Sequence, residues 1–289
     1  WVSSLRLRYH FAFVTQICTI RQMPLRFKPT DAQDVSARTL VLSLMSVPGR
    51  RPQTLAYLSR AGGLFGMEPT AIRMAVTRLV KEGLLESVDR GVYTTGPKAA
   101  AFTAEISDWR NAPARTRPWT GGWIGVLTNH LGRTDRKDLR ARMRALRLYG
   151  FAQAEAGLWV RPDNLRLSLE KLRAALTNIG LQEDALLLTI SDTALPAGMD
   201  WQGLWSTDDL RATYEGAIAA MQGSRNAAAS LPADDAARET LLIGQSVIRT
   251  INLDPLLPED IGDAALFRQM VSEMDAYDAF GRTCWDKIG

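Results

Sequence analysis

Three cations and two threonines are spaced through residues 70–81 in a way that suits contact with a polyanion. Arg73, Thr77 and Lys81 recur every four residues, and Thr70 and Arg78 flank them. In the same window Ile72, Val76, Leu79 and Val80 form an apolar stripe. The spacing therefore predicts a helix with one buried and one basic face. Arginine and lysine can pair with guanine edges or phosphates, and threonine can meet thymine methyls or phosphates. On an isolated helix such a run usually marks a solvated face, so the neighbouring elements have to decide between the two.

Those neighbours favour a contact. Ser36 suits the N-cap of a helix carrying Leu40, Val41, Leu44 and Val47, closed by Pro48-Gly49. A second helix is expected from near Pro52, with Leu55 and Leu58 inward, as far as Gly62-Gly63. Gly66 turns the chain into the basic helix, which Gly83 ends. Leu84–Val88 and Val92–Thr95 then read as strands of a hairpin, with Asp89-Arg90-Gly91 as its turn and Arg90 at its tip. Three helices and a hairpin in about sixty residues predict a winged helix-turn-helix over residues 36–98. The basic helix is its third, the one such units present to DNA.

Beyond a connector at 99–118 the rhythm changes. Strand-like runs at Trp123–Leu127, Phe151–Ala154, Leu158–Val160 and Leu186–Ile190 alternate with helical patterns at Arg133–Leu148 and Asn164–Leu176. The order β-α-β-β-α-β predicts a ferredoxin-like domain over 119–196, an architecture that hosts many functions. Helices near 206–222, 232–251 and 262–282 predict a helical domain over 197–289. The expected class is α+β. Residues 1–35 read as an extension ahead of the first domain. Within it, 1–22 hold Arg6, Arg8 and Arg21 without an acid or Met, as expected of an addition at the start of the gene.

The charge is distributed unevenly. Residues 36–98 hold nine Lys/Arg against four Asp/Glu, and residues 201–289 hold seven against fourteen, so the chain is basic early and acidic late. A basic module attracts phosphates, and an acidic one is repelled by them. Cys18 and Cys284 are the only cysteines, too far apart in sequence for a ligand cluster, which fits a reducing cytoplasm. Tyr9–Ile20 is too short and too interrupted to span a bilayer, so no membrane partner is expected. Neither histidine, His10 or His130, falls in a metal-ligand spacing. No nucleophile elbow or phosphate loop occurs either, so neither enzyme nor cofactor is expected. The competing function is a protein that processes nucleic acid through its central domain.

The predicted helix over 133–147 carries Arg133, Arg136, Lys137, Arg140, Arg142, Arg144 and Arg147 against Asp135 and Asp138. It reads as a partly paired surface helix, as a second DNA contact, or as a seat for the phosphates of a coenzyme A. Trp119, Trp123, Trp159, Trp201 and Trp205 suit stacking on an aryl or adenine ring, although tryptophans at this density are more often core.

Taken in order, these segments resemble the PaaX family of repressors, which control phenylacetate degradation. The run AIRMAVTRLVKEGLLE, with Arg73, Arg78, Leu79 and Lys81-Glu82-Gly83, is similar to the family's third helix, and Arg90-Gly91 and Tyr93 to its wing. WTGGWIGVL and LRLYGFAQAEAGLWVRP resemble its central strand and Gly-Phe hairpin. Arg249 with LDPLLPED resembles its C-terminal signature. The family's Trp-Pro-Gly-like segment is replaced here by Ile261-Gly262-Asp263-Ala264. The resemblance implies a homodimeric repressor on a palindromic operator of double-stranded DNA, released by an acyl-CoA effector such as phenylacetyl-CoA. DNA contacts are then expected from Thr70, Arg73, Thr77, Arg78, Lys81 and Arg90. An acyl-CoA needs cations for its phosphates, and Arg140, Arg144, Arg161 and Arg249 are the expected ones.

Overall fold

The computed structural model describes residues 27–45, 51–99, 108–132 and 134–288. It is an α+β structure with two antiparallel sheets. The first unit runs α1 (Ala37–Met45), β1 (Gln53–Thr54), α2 (Leu55–Gly63), α3 (Pro69–Lys81), β2 (Leu85–Asp89) and β3 (Val92–Thr95). Ser36 caps α1 by accepting the N–H of Thr39 at 3.1 Å. The expected Pro48-Gly49 stop lies outside the described residues.

The second helix starts later than its proline suggests. Gln53 and Thr54 pair with Tyr93 and Val92 of β3, making a three-stranded sheet in the order β1-β3-β2. Thr54 then caps α2 through the N–H of Tyr57. A proline opening a helix and a proline opening a two-residue strand look alike locally, and the strand's partner is distant in sequence. Gly62 lets α2 and α3 approach closely, since a Cβ there would sit 2.6 Å from the Ile72 side chain.

The central stretch runs β4 (Trp123–Leu127), α4 (Arg136–Leu148), β5 (Ala152–Glu155), β6 (Leu158–Pro162), α5 (Leu169–Asn178) and β7 (Leu186–Ile190). Its strands lie in the order β5-β6-β4-β7, each antiparallel to its neighbour. α5 begins at Leu169 rather than Asn164 because Ser168 caps it, while Asn164 is bonded elsewhere. The last stretch is helical: α6 (Thr207–Ala227), α7 (Ala233–Asn252) and α8 (Ala264–Asp286).

Three apolar clusters hold these elements, and they cross the boundaries that the chain order suggests. One lies between the sheet and α4 and α5, with Ile124, Val126, Leu146, Trp159, Leu172 and Leu176. The opposite sheet face gives Trp123 and Val160 to a second cluster, shared with Trp109 of the connector and with α6 to α8. The third joins α1, α2 and α3 to Ala236 and Ala237 of α7 and to Cys284, Trp285 and Ile288 at the end of the chain. Burial of such side chains stabilises by about 1.5–3 kcal/mol each relative to exposure. The first unit thus has a core completed by the last helices. The expected extension also contributes: Val35 is in this core, and the Thr30 N–H donates to Ser246 of α7 at 2.6 Å. Residues 1–26 lie outside the described residues.

Candidate nucleic-acid interface

The face of α3 that turns outward is the basic one. Ile72, Ala75, Val76 and Leu79 are buried, whereas Thr70, Arg73, Thr77, Arg78 and Lys81 are exposed. At 3.6 residues per turn the exposed set spans an arc of roughly 140° along three turns. Pro69 opens the helix at a position where its missing N–H costs nothing. The Thr77 hydroxyl donates back to the Arg73 carbonyl at 2.9 Å, which leaves its methyl and oxygen lone pairs facing solvent.

Met74 belongs to this face and was missed by attention to polar residues. It is 56% exposed and lies one turn after Thr70, between Arg73 and Thr77. Its four-residue spacing from Thr70 and Arg78 was the available signal. An exposed apolar side chain among cations is suited to a thymine methyl. At the hairpin, Arg90 is exposed at the turn, and the Gly91 carbonyl accepts the N–H of Leu55 at 2.8 Å. That bond ties the hairpin to the start of α2, so turn and helix are held by one small sheet.

Pairing separates these cations from most arginines of the last stretch. Five arginines in the last stretch, Arg211, Arg225, Arg238, Arg268 and Arg282, each have a carboxylate within 4.0 Å. In the first unit Arg38 is bidentate on Glu82. Among the described residues, Arg73, Arg78, Lys81 and Arg90 have no such partner.

The proposed effector arginines are not brought together into a cavity. Arg161 is 1% exposed and fully engaged. Its guanidinium donates to the Tyr149 carbonyl, to the Pro162 carbonyl at 3.2 Å and to Asn164 Oδ1 at 3.0 Å. Burial pulls its pKa down to about 9, opposed by Asp163. The expectation that Arg161 seats a phosphate is therefore corrected: the side chain holds backbone, and a ligand would have to break that network to reach it. Arg140 and Arg249 are exposed, on α4 and α7, and Arg144 is half-buried on α4.

Asn164 carries the network onward by donating to the Leu256 carbonyl at 2.8 Å. Here the loop around Leu256 docks on the central stretch. Leu256 has a left-handed backbone, φ 53°, and its N–H donates to Asp254 at 2.8 Å. A Cβ on Gly150 would lie 2.4 Å from the Pro255 carbonyl oxygen. Asp254 is buried and accepts the Tyr214 hydroxyl at 2.5 Å. Burial raises its pKa to about 7 against the lowering effect of these two donors. Burial, then the neighbouring Asp254, pushes the Tyr214 phenol up as well. A small open cleft beside them is lined by Thr116, Tyr214, Asp254, Leu256, Phe267 and Arg268 among others. None of the four effector candidates lines it.

The tryptophans are spent on one another. Trp123 meets Trp119 and Trp201 edge-on, at 5.2 and 5.5 Å between ring centroids, and stacks on Trp205 at 6.3 Å. Trp159 points to the other side of the sheet. His130 sits in a loop, its Nε2 2.8 Å from the Asp184 carbonyl. Among the described residues no group of three His, Cys, Asp or Glu side chains is placed to hold a metal, and no helix is long and apolar enough to cross a membrane.

No family model matches the chain, and no curated protein matches it either. Among solved structures it is similar to an uncharacterized protein of Mycobacterium tuberculosis, Rv0674, at 23% identity and a TM-score of 0.62. The match covers 88% of this chain and 98% of that one, so the shared fold takes in nearly the whole molecule.

Proposed function

We propose that the protein is a sequence-specific DNA-binding transcriptional regulator of the repressor type. Its first unit is a winged helix-turn-helix that lays α3 in the major groove and reaches an adjacent phosphate or the minor groove with Arg90. The central unit, with strand order β5-β6-β4-β7, is a ferredoxin-like scaffold. One observation carries the reading: among the described residues the exposed cations of α3 have no carboxylate partners, on the third helix of a three-helix unit closed by a hairpin. An isolated solvated face would give the same helix. It would not explain why five of the six arginines of the acidic last stretch have a carboxylate partner while, among the described residues, these cations have none.

The resemblance to the PaaX family adds the homodimer and the palindromic operator. The acyl-CoA effector also comes from that resemblance alone, and the arrangement of the arginines adds nothing to it.

The test is selection of duplexes from a random library with the full chain, followed by mobility shift on the enriched sequence. A defined site should emerge, its recognition weakened by Arg73→Ala. Failure to enrich any sequence, with binding indifferent to Arg73→Ala, would overturn the proposal. Inverted symmetry in the site would support the dimer.

A further inference from the structure

A second basic surface lies on α4, outside the first unit. Arg136, Lys137, Arg140, Arg144 and Arg147 fall within an arc of roughly 100° on this helix, by its 3.6-residue turn. Arg142, Ala145 and Leu146 are buried on the opposite side, so the arc faces solvent except at Arg144, which is half-buried. Arg136, Lys137, Arg140 and Arg147 are exposed and, among the described residues, have no carboxylate within 4.0 Å. The two acids of the segment are off this arc. Asp135 caps the helix by accepting the N–H groups of Lys137 and Asp138, and Asp138 is exposed in the first turn, about 100° outside the arc.

This arrangement is unfavourable for the isolated protein. Like charges four residues apart, Arg136 with Arg140 and Arg140 with Arg144, cost about 0.2–0.5 kcal/mol per pair. Arg136 and Lys137 in the first turn oppose the helix dipole, which Asp135 and Asp138 at the same end offset. A helix serving only as solvated covering for α5 and the sheet would do better with interspersed acids, as the last stretch of this chain has them.

We infer that the outer face of α4 binds the phosphate backbone of duplex DNA as a second, sequence-independent contact. From Arg136 to Arg147 the helix advances about 16 Å, at 1.5 Å per residue. A strand presents a phosphate every 3.4 Å or so of duplex axis, so the row passes roughly five of them. Phosphates fix position without reading sequence, which suits exposed, flexible cations. The inference rests on the DNA-binding reading, but its site is separate from α3.

The experiment uses the full chain and a 40-base-pair duplex of arbitrary sequence, with anisotropy titrations at several salt concentrations. The variant is Arg136→Gln/Arg140→Gln/Arg147→Gln, with circular dichroism to check the helix. A control removes equal charge from the last stretch, as Arg211→Gln/Arg225→Gln/Arg238→Gln. Each phosphate contact contributes about 0.9 to the log–log salt slope. The α4 variant should therefore lose about 2.7 units of slope and bind ~10²-fold more weakly or worse at 0.1 M salt, while the control keeps the wild-type slope. Discrimination by Arg73 on a selected site should survive in the α4 variant.

Equal losses in both variants would reduce the effect to net charge and overturn the inference. An unchanged slope in the α4 variant would overturn it too, whereas an Arg73 variant with no effect would instead sink the DNA-binding reading itself. Two probes decide the partner. Tighter, α4-dependent binding of single-stranded RNA than of duplex would make the surface an RNA site. Calorimetric binding of coenzyme A that the α4 variant abolishes, with the duplex slope intact, would make it an effector seat.

Discussion

Arginine serves opposite purposes in two regions of this molecule. On α3, Arg73 and Arg78 are exposed and have no acidic partner among the described residues, held only by the helix beneath them. Where the loop around Leu256 docks, Arg161 is buried and each nitrogen of its guanidinium donates to a carbonyl or amide oxygen. The first kind of arginine costs the fold little and keeps its donors for a partner. The second cross-links chain segments and has nothing left to offer. Residue type and charge are the same in both places, so exposure and existing bonds are what distinguish a binding residue from a structural one.

The sharpest break of this comparison is Arg161→Ala. It removes three donors and a buried stem, leaving the Tyr149 carbonyl and Asn164 without their partner. A loss of about 3–5 kcal/mol is expected in denaturant unfolding, in line with large buried truncations. A change under 1 kcal/mol would mean that the network does not hold the loop.

Asp254 tests the same junction by pH. Its folded pKa is raised from 3.8 to about 7, so protonation favours the folded state. The stability it contributes is fully present below its unfolded pKa and is lost as pH rises through about 7. The effect between pH 4 and 8 should be on the order of a few kcal/mol. Asp254→Asn should flatten that dependence in thermal unfolding, since an amide cannot ionise and the Tyr214 hydroxyl can turn to accept. A variant as pH-sensitive as the wild type would place the effect elsewhere.

On the exposed side, Arg73→Ala should leave unfolding unchanged and cost about 1–3 kcal/mol of affinity for a selected duplex. Wild-type affinity in a mobility-shift titration would remove Arg73 from the interface. The smallest change is expected from Arg90→Ala, which should weaken binding to all sequences alike and make the log–log salt slope shallower by about one unit. A loss confined to one base position, with the slope intact, would show that the wing reads sequence.

Much of this was legible in the chain because it is encoded locally. The apolar stripe of α3 and the Asp89-Arg90-Gly91 turn follow from periods of 3.6 and 2 and from turn chemistry, and they need no distant partner. β1 was not legible, because two residues become a strand only through Val92 and Tyr93. Arg161 was misassigned for a similar reason. In sequence it is one more cation beside Trp159 and Val160, and nothing local says that Tyr149 and Asn164 will close around it. Met74 was overlooked although its spacing was visible, because the chemistry sought was polar.

The path of α8 has a consequence for synthesis. Phe267 and Met270 near its start pack with the connector and the sheet, whereas Cys284 and Trp285 near its end pack with α1 to α3. The first unit therefore leaves the ribosome lacking part of its own interior. At translation rates of roughly 5–20 residues per second, the 189 positions from residue 99 to residue 288 take on the order of 10–40 s. During that interval Leu40, Leu44 and Leu58 belong to an unfinished core, and the nascent chain presents a basic helix whose support is still being made. If the proposed DNA binding holds, competence for it is acquired late, when α8 closes against the unit that was translated first.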